Sequence, residues 1–500
     1  MPATAVQWAK VIDHTRCIGC HACSTACKSE NDVPLGVHRT YVKAVDVGVF
    51  PVARRAFQVT RCNQCDDAPC TTACPTRAMY RRPDGIVDFD KSICIGCKAC
   101  IAACPYDAIF INPEDHSAEK CNFCAHRLDM GLEPACVVVC PTQAILVGDL
   151  NDPQSAVARI VQREPVAVRR PEKETRPKLF YKGAHQATLD PLAARRPGGG
   201  LFAWSEQLTG GDAVVSGHPD HGTSSAAAVL AYDVGHRMPW DWRVSLYTWT
   251  KSIAAGAYLV PLLLLFTGLP ETLALWQSIG PKVGLAFLAA TGGLLIWDLE
   301  HPGRFFFIFT RPQPRSWLVR GGVILGVYGL ILVLHLARIA PLLTLAWVGA
   351  PFALLTAVYT AYLFAQAKAR DLWQSPLLPP HLAIQAVLAG SAALAPFAGL
   401  ADGPRQLLLW TSLVAAAAHL LCVAGEVTLT HATAHARLAV REMTRGRYRA
   451  WFWAGVALMV VPLVAAPFVG VGLGTAASLL AGLFAHEHAY VQAGQAVPLA

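Results

Sequence analysis

Residues 94–105 read CIGCKACIAACP: Cys94, Cys97, Cys100 and Cys104 stand at C-x2-C-x2-C-x3-C, and Pro105 follows. Cys17, Cys20, Cys23 and Cys27 repeat that spacing, with Lys28 in place of the proline. Two looser groups accompany them. Cys62, Cys65, Cys70 and Cys74 run C-x2-C-x4-C-x3-C before Pro75, and Cys121, Cys124, Cys136 and Cys140 run C-x2-C-x11-C-x3-C before Pro141. Three closely spaced thiolates wrap one cubane while a fourth, pointing away, reaches the cubane of a partner group, so the pattern predicts iron–sulfur chemistry and four [4Fe-4S] clusters. Zinc needs only two CxxC pairs per ion. Disulfides are disfavoured because MPATAVQWAKVIDHTRC shows neither an apolar export signal nor a twin-arginine pair, and dense regular cysteines in a reducing compartment argue for metal.

Outward from the cysteines the composition splits. The 500 residues are 54% hydrophobic and 15% charged, too apolar for a purely soluble protein, and the net charge of +8 forms no basic stripe, which disfavours a nucleic-acid partner. After Cys140 only Cys422 remains, and it is expected to pack as a small hydrophobe. Residues 1–150 are read as an α+β ferredoxin-like double-dicluster domain. Residues 151–240, rich in Pro, Gly, Arg and Ala, are read as an extended tether or docking segment in which His185, His218, His221 and His236 are solvated. Residues 241–500 are read as an all-α membrane bundle of about eight transmembrane helices, near 249–269, 279–298, 317–337, 343–365, 381–400, 406–426, 450–469 and 474–492. The last is the weakest, since His486, Glu487 and His488 interrupt it.

Alternate loops carry unequal basic charge. Arg304, Arg311, Arg315, Arg320, Lys368, Arg370, Arg437, Arg441, Arg445, Arg447 and Arg449 lie on one side, against Lys282, Arg338 and Arg405 on the other. The basic side is expected to be the cytoplasmic face of a bacterial-type inner membrane, and the cluster domain to lie there too.

The cysteine groups resemble the four-cluster electron-transfer subunits of the dimethyl sulfoxide and polysulfide reductase type. The loop DLEHPGRFFFIFTRPQPRSWLVRGG (298–322), WTKSIAAGAYLVP near the first helix and AYVQAGQAVPL at the end resemble the NrfD/PsrC-like quinone-reactive membrane subunits. The chain thus resembles a fusion of two subunits. The resemblance implies that Cys17, Cys20 and Cys23 share a cluster with Cys140. By the same likeness Cys121, Cys124 and Cys136 share one with Cys27, Cys62, Cys65 and Cys70 with Cys104, and Cys94, Cys97 and Cys100 with Cys74. It also implies a separate, molybdopterin-dependent catalytic subunit as partner and a quinone, menaquinone or ubiquinone, as substrate, with membrane lipid around the helices.

Ionisable groups at the mouths of membrane helices are costly and therefore functional candidates. Asp298 and His301 are the first choice for a quinone and proton site, with Tyr247, Lys251, Glu426 and His431 in support, all expected on the side where the clusters arrive. Quinone reduction needs electrons and protons at one place, which a carboxylate or histidine beside the last cluster supplies. Other readings remain open at this point. One is a haem-b anchor using two of His335, His419, His431 and His435. Another is a passive anchor for the iron–sulfur module. A third, ion translocation coupled to quinone chemistry, is compatible with the first. No Walker, Rossmann or nucleophile motif suggests a site for any other substrate.

Overall fold

A computed structural model of the chain describes residues 6–196, 227–268, 270–398 and 402–500. Strand β1 (Trp8–Asp13) is buried along nearly its whole length, and its alternation explains why. Ala9 and Val11 pack with Val157 of the helix Ala156–Arg163, whereas Ile12 packs among Cys23 and Cys136 on the opposite face. β1 is paired antiparallel with Ile145–Asp149 and parallel with Leu179–Lys182, which in turn pairs with Val166–Ala167. A second sheet, antiparallel throughout, places Thr40–Val47 between Arg54–Arg61 and Val229–Tyr232.

Three of these strands come from the segment expected to be an extended tether or docking segment. Its first part, through Leu179–Lys182, supplies a strand at the centre of the cluster domain's sheet, and its last part adds an edge strand to the second sheet. The strands are too short for their period to stand out from the Pro- and Arg-rich composition. His185 is buried and accepts a hydrogen bond from the Ala187 N–H at 3.1 Å. His236 is buried between Asp107 and Asp233, at 2.6 and 3.2 Å. Neither is a solvated linker residue; His218 and His221 lie outside the described residues.

Helices form at all eight expected places: α1 (Trp242–Leu264), α2 (Gly280–Trp297), α3 (Trp317–Ala337), α4 (Leu342–Gln366), α5 (Leu378–Leu394), α6 (Asp402–Thr428), α7 (Arg449–Val469) and α8 (Leu473–Gln495). Six of them, α2 to α7, are long and apolar enough to cross a membrane; the expectation of eight is met only in number of helices. α1 and α8 fall short in apolarity because they carry Thr248, Lys251 and Ser252, and His486, Glu487 and Gln492, all buried inside the bundle. α1 is central, packing against α2, α4, α5 and α8. Its approach to α5 is backbone on backbone: a Cβ on Gly256 would stand 1.8 Å from the Ala386 carbonyl oxygen, so only glycine fits.

The two halves share a core. Ala73, Ala99, Ala102 and Ala103 of the cluster domain pack with Trp240, Tyr247, Phe364, Trp373 and Tyr490. Trp373 stacks on Phe364 at 4.6 Å and on Trp240 at 5.6 Å. The loop between α2 and α3 adds polar contacts: Ser316 donates to the Ala73 carbonyl at 2.9 Å, and Arg304 to the carbonyls of Lys91 and Cys94 at 3.1 and 2.9 Å.

Candidate functional site

The cysteines converge in fours. Cys17, Cys20, Cys23 and Cys140 line one cavity, Cys62, Cys65, Cys70 and Cys104 a second, and Cys74, Cys94, Cys97 and Cys100 a third. Cys27, Cys121, Cys124 and Cys136 form the remaining group: Asn31 Nδ2 lies 3.7 Å from both Cys27 Sγ and Cys124 Sγ, and Cys121, Cys124 and Cys136 all act on the Cys27 thiol. One backbone device recurs in all four. The residue before the second cysteine, Gly19, Gln64, Gly96 or Phe123, has a positive φ of 69, 48, 67 or 69°, which curls the chain around the thiols. The Gln64 and Gly96 N–H groups point back at the first sulfur of their groups, at 3.5 and 3.4 Å.

The donor set fits iron–sulfur clusters. Burial pushes most of these thiols up, Cys65 to about 12, so they hold protons until a metal displaces them. At Cys136 burial raises the thiol too, but Arg61 and Lys10 outweigh it and bring it down to about 7. Arg61 Nη1 stands 3.0 Å from Cys136 Sγ, a buried positive charge suited to a group of thiolates. [4Fe-4S] clusters bound here would supply one-electron transfer.

The cavity of Cys74, Cys94, Cys97 and Cys100 is the one that meets the membrane half. Trp240 Nε1 donates to the Cys97 carbonyl at 3.2 Å, and the N–H of His301 to that of Ile95 at 3.2 Å. Gly96 touches Glu300: a Cβ there would lie 2.4 Å from the Glu300 Cβ. Lys98 Nζ reaches Glu300 at 3.0 Å and Asp298 Oδ1 at 3.5 Å, with Arg243 3.8 Å from the same oxygen. Burial raises the Asp298 carboxyl to about 6 despite these cations.

Two family matches correspond to these two halves. Residues 53–150 match the 4Fe-4S dicluster domain family, and residues 233–498 match the family described as polysulphide reductase, NrfD. The chain belongs to the NrfD polysulphide reductase family. It is similar to a tetrathionate reductase subunit of Salmonella typhimurium, 43% identical over 38% of this chain and 77% of that protein. A polysulfide reductase component of Wolinella succinogenes is 42% identical, over 35% of this chain and 94% of its own. The arsenate respiratory reductase iron-sulfur subunit of Shewanella sp. is 36% identical, over 34% and 94%. This NrfD protein is therefore a multi-pass membrane protein with an iron–sulfur domain, an oxidoreductase subunit in which the two parts are fused.

Within the NrfD half the six expected quinone-site residues do not form one contact group. Asp298 faces Lys98 and Arg243, and His301 follows on the same loop with its Nε2 buried and without a hydrogen-bond partner. Tyr247 is buried in the core shared by the halves. Lys251, fully buried, donates to the Ala357 carbonyl and lies over the Tyr359 ring at 5.5 Å. Glu426 faces His381, and His431 Nε2 is 2.8 Å from the Glu426 carbonyl oxygen. Sequence reasoning missed Lys98 and Arg243, whose significance depends on contacts between distant segments, and passed over His486 and Glu487, although ionisable groups in an apolar helix were a visible signal.

Two of the haem candidates are otherwise engaged. His335 packs edge-on against Trp276 at 4.9 Å and Tyr258 at 5.5 Å. His419 is held at 4.7 Å from both His381 and His486.

Proposed function

We propose that this chain is the electron-transfer and quinone-reactive subunit of a multi-subunit oxidoreductase. It exchanges electrons with a separate molybdopterin catalytic subunit and passes them to or from membrane menaquinone or ubiquinone. The sixteen cysteines hold four [4Fe-4S] clusters in the four sets described, all eight helices of the NrfD half cross the inner membrane, and the cluster domain faces the cytoplasm. The names of the relatives, reductase subunits for tetrathionate, polysulfide and arsenate, support a catalytic partner of that kind.

The observation that carries this reading is the contact of the Cys74, Cys94, Cys97 and Cys100 group with the loop that follows α2. Electrons leaving that group arrive at a wall built from Lys98, Asp298, Glu300 and Arg243. A cleft lined by Lys98, Glu300, Trp240, Trp242, Arg243 and Gln492 opens beside it and gives a ring-shaped substrate an approach. Asp298, its carboxyl raised toward neutrality by burial, holds and releases the proton that quinone chemistry requires. Lys98 and Arg243 keep that carboxyl oriented.

The test is Asp298→Asn in the assembled complex. Quinone turnover should fall by roughly 100-fold, the scale of a lost general acid or base, while iron content and reduction by the catalytic partner stay unchanged. Normal turnover per assembled complex would remove Asp298 from the reaction, and absence of any quinone turnover in the wild-type complex would leave a passive anchor.

A further inference from the structure

His381 of α5, His419 of α6 and His486 of α8 come from three helices and meet inside the bundle, each at most 3% exposed. One ring nitrogen of each lies within 4.8 Å of the others. His381 Nε2 and His419 Nδ1 are 2.8 Å apart and share a hydrogen bond. Glu426 follows His419 by seven residues, two turns along the same helix face, and places Oε2 4.0 Å from His381 Nδ1. Glu426 is 3% exposed, yet neither of its carboxylate oxygens nor His381 Nδ1 has a hydrogen-bond partner.

A polar network that existed only to satisfy itself would not leave a carboxylate and a ring nitrogen facing each other unbonded in an apolar interior. Among the described residues no hydrogen bond or ion pair joins this group to Asp298 or to a cysteine. Its chemistry is three imidazoles, a protein donor set that leaves a fourth position open on a divalent ion, and a carboxylate behind His381 at its other ring nitrogen. The carboxylate cancels one of the two charges, which is what makes such an ion tolerable away from water.

We propose that His381, His419 and His486 bind one divalent transition-metal ion of the zinc class, which ties α5, α6 and α8 together, with Glu426 as the carboxylate partner of His381 Nδ1 behind it. Ligand bonds of ~2.0–2.1 Å require the three nitrogens to draw inward by ring rotation. The ion takes the place of the hydrogen bond between His381 Nε2 and His419 Nδ1: each neutral imidazole offers it a bare nitrogen and carries its one proton on the other, on His381 Nδ1 toward the Glu426 carboxylate. Copper and nickel suit imidazole as well, so the group is defined by its ligands rather than by one element.

The test uses the full chain, purified in detergent with its iron, stripped with a chelator too weak to remove that iron, and dialysed against Zn2+. Zinc and iron are counted per chain by mass spectrometry. The wild-type chain should bind one zinc. His419→Gln and His486→Gln should weaken binding by ~100-fold or more, and Glu426→Gln by ~10-fold, at unchanged iron content. His335→Gln, a buried histidine elsewhere, should bind as wild type. If a histidine variant fails to assemble, the isosteric Glu426→Gln decides alone. Substoichiometric zinc in the wild-type chain, or equal zinc in Glu426→Gln, would overturn the proposal and leave a hydrogen-bonded histidine cluster.

Discussion

Lys98, the residue after Cys97, donates to the Asp298 carbonyl at 3.1 Å and stands 3.5 Å from its carboxylate, joining the cluster domain to the end of α2 across two hundred residues of sequence. Both side chains are only 10% exposed, and Glu300 adds a second carboxylate at 3.0 Å. Lys98→Met should therefore leave two carboxylates without their shared cation and destabilise the junction by about 3–5 kcal/mol, the scale for breaking a buried pair. The midpoint of thermal unfolding of the assembled chain is the readout. In the double variant Lys98→Met/Asp298→Asn part of that loss should return, since one orphaned charge is gone.

Gly96 offers a steric test of the same contact. It combines a φ of +67° with a Cβ position 2.4 Å from Glu300, whereas Gly36 has a φ of +80° and open space around it. Gly36→Ala should cost only the backbone strain, about 1–2 kcal/mol. Gly96→Ala should cost that and also push the loop of Glu300 away, so that electron transfer to quinone slows while the clusters remain. Comparing turnover per iron in the two variants separates strain from displacement.

Iron should number about sixteen per chain if each of the four cysteine sets holds a cubane. Cys97→Ser should lower the content by up to four and loosen the contact with Trp240, whose indole donates to the Cys97 carbonyl. Chemical iron analysis and electron paramagnetic resonance of the reduced protein measure both. A wild-type value near eight would mean that two sets are empty.

A pH signature is expected from His236. Burial opposes its charge, but Asp233 and Asp107 outweigh burial and raise it from 6.5 to about 9; in return, again against burial, His236 lowers Asp233 from 3.8 to about 2. The histidine's contribution is complete below about 6.5, where the unfolded chain is protonated as well, and it disappears as pH climbs toward 9. The Asp233 contribution is complete above about 4 and disappears as pH falls toward 2. Anchorage of the second sheet's edge strand, followed by hydrogen exchange at Val229–Tyr232, should thus be best between pH 4 and 6.5. His236→Gln should flatten the alkaline limb.

The cysteine spacing made the cluster domain legible because cubane geometry constrains residues that are close in sequence. The apolar runs made six membrane helices legible for the same local reason. What escaped was non-local. The strand Leu179–Lys182 has four residues and gains its meaning only beside β1, and His236 looked like linker until Asp107 came to it from the cluster domain. Asp298 was picked out as a candidate, but nothing in the sequence says that Lys98 is its partner. α8 read as the weakest membrane helix because its polar residues His486 and Glu487 are buried inside the bundle, where composition alone gives no credit for burial. His381 and His486 drew no separate notice, since nothing in the sequence says that three helices bring them to His419.

The central claim, that electrons cross from the Cys74, Cys94, Cys97 and Cys100 group to quinone beside Asp298, is tested most directly by stopped-flow reoxidation. The purified complex, its clusters reduced in advance and excess reductant removed, is mixed with a soluble ubiquinone or menaquinone analogue, and the return of the iron–sulfur absorption is timed. The account predicts complete reoxidation with stoichiometric quinol formation, slowed by roughly 100-fold in Asp298→Asn at unchanged iron. Clusters that stay reduced in the presence of quinone, in a complex that still exchanges electrons with its catalytic partner, would contradict it.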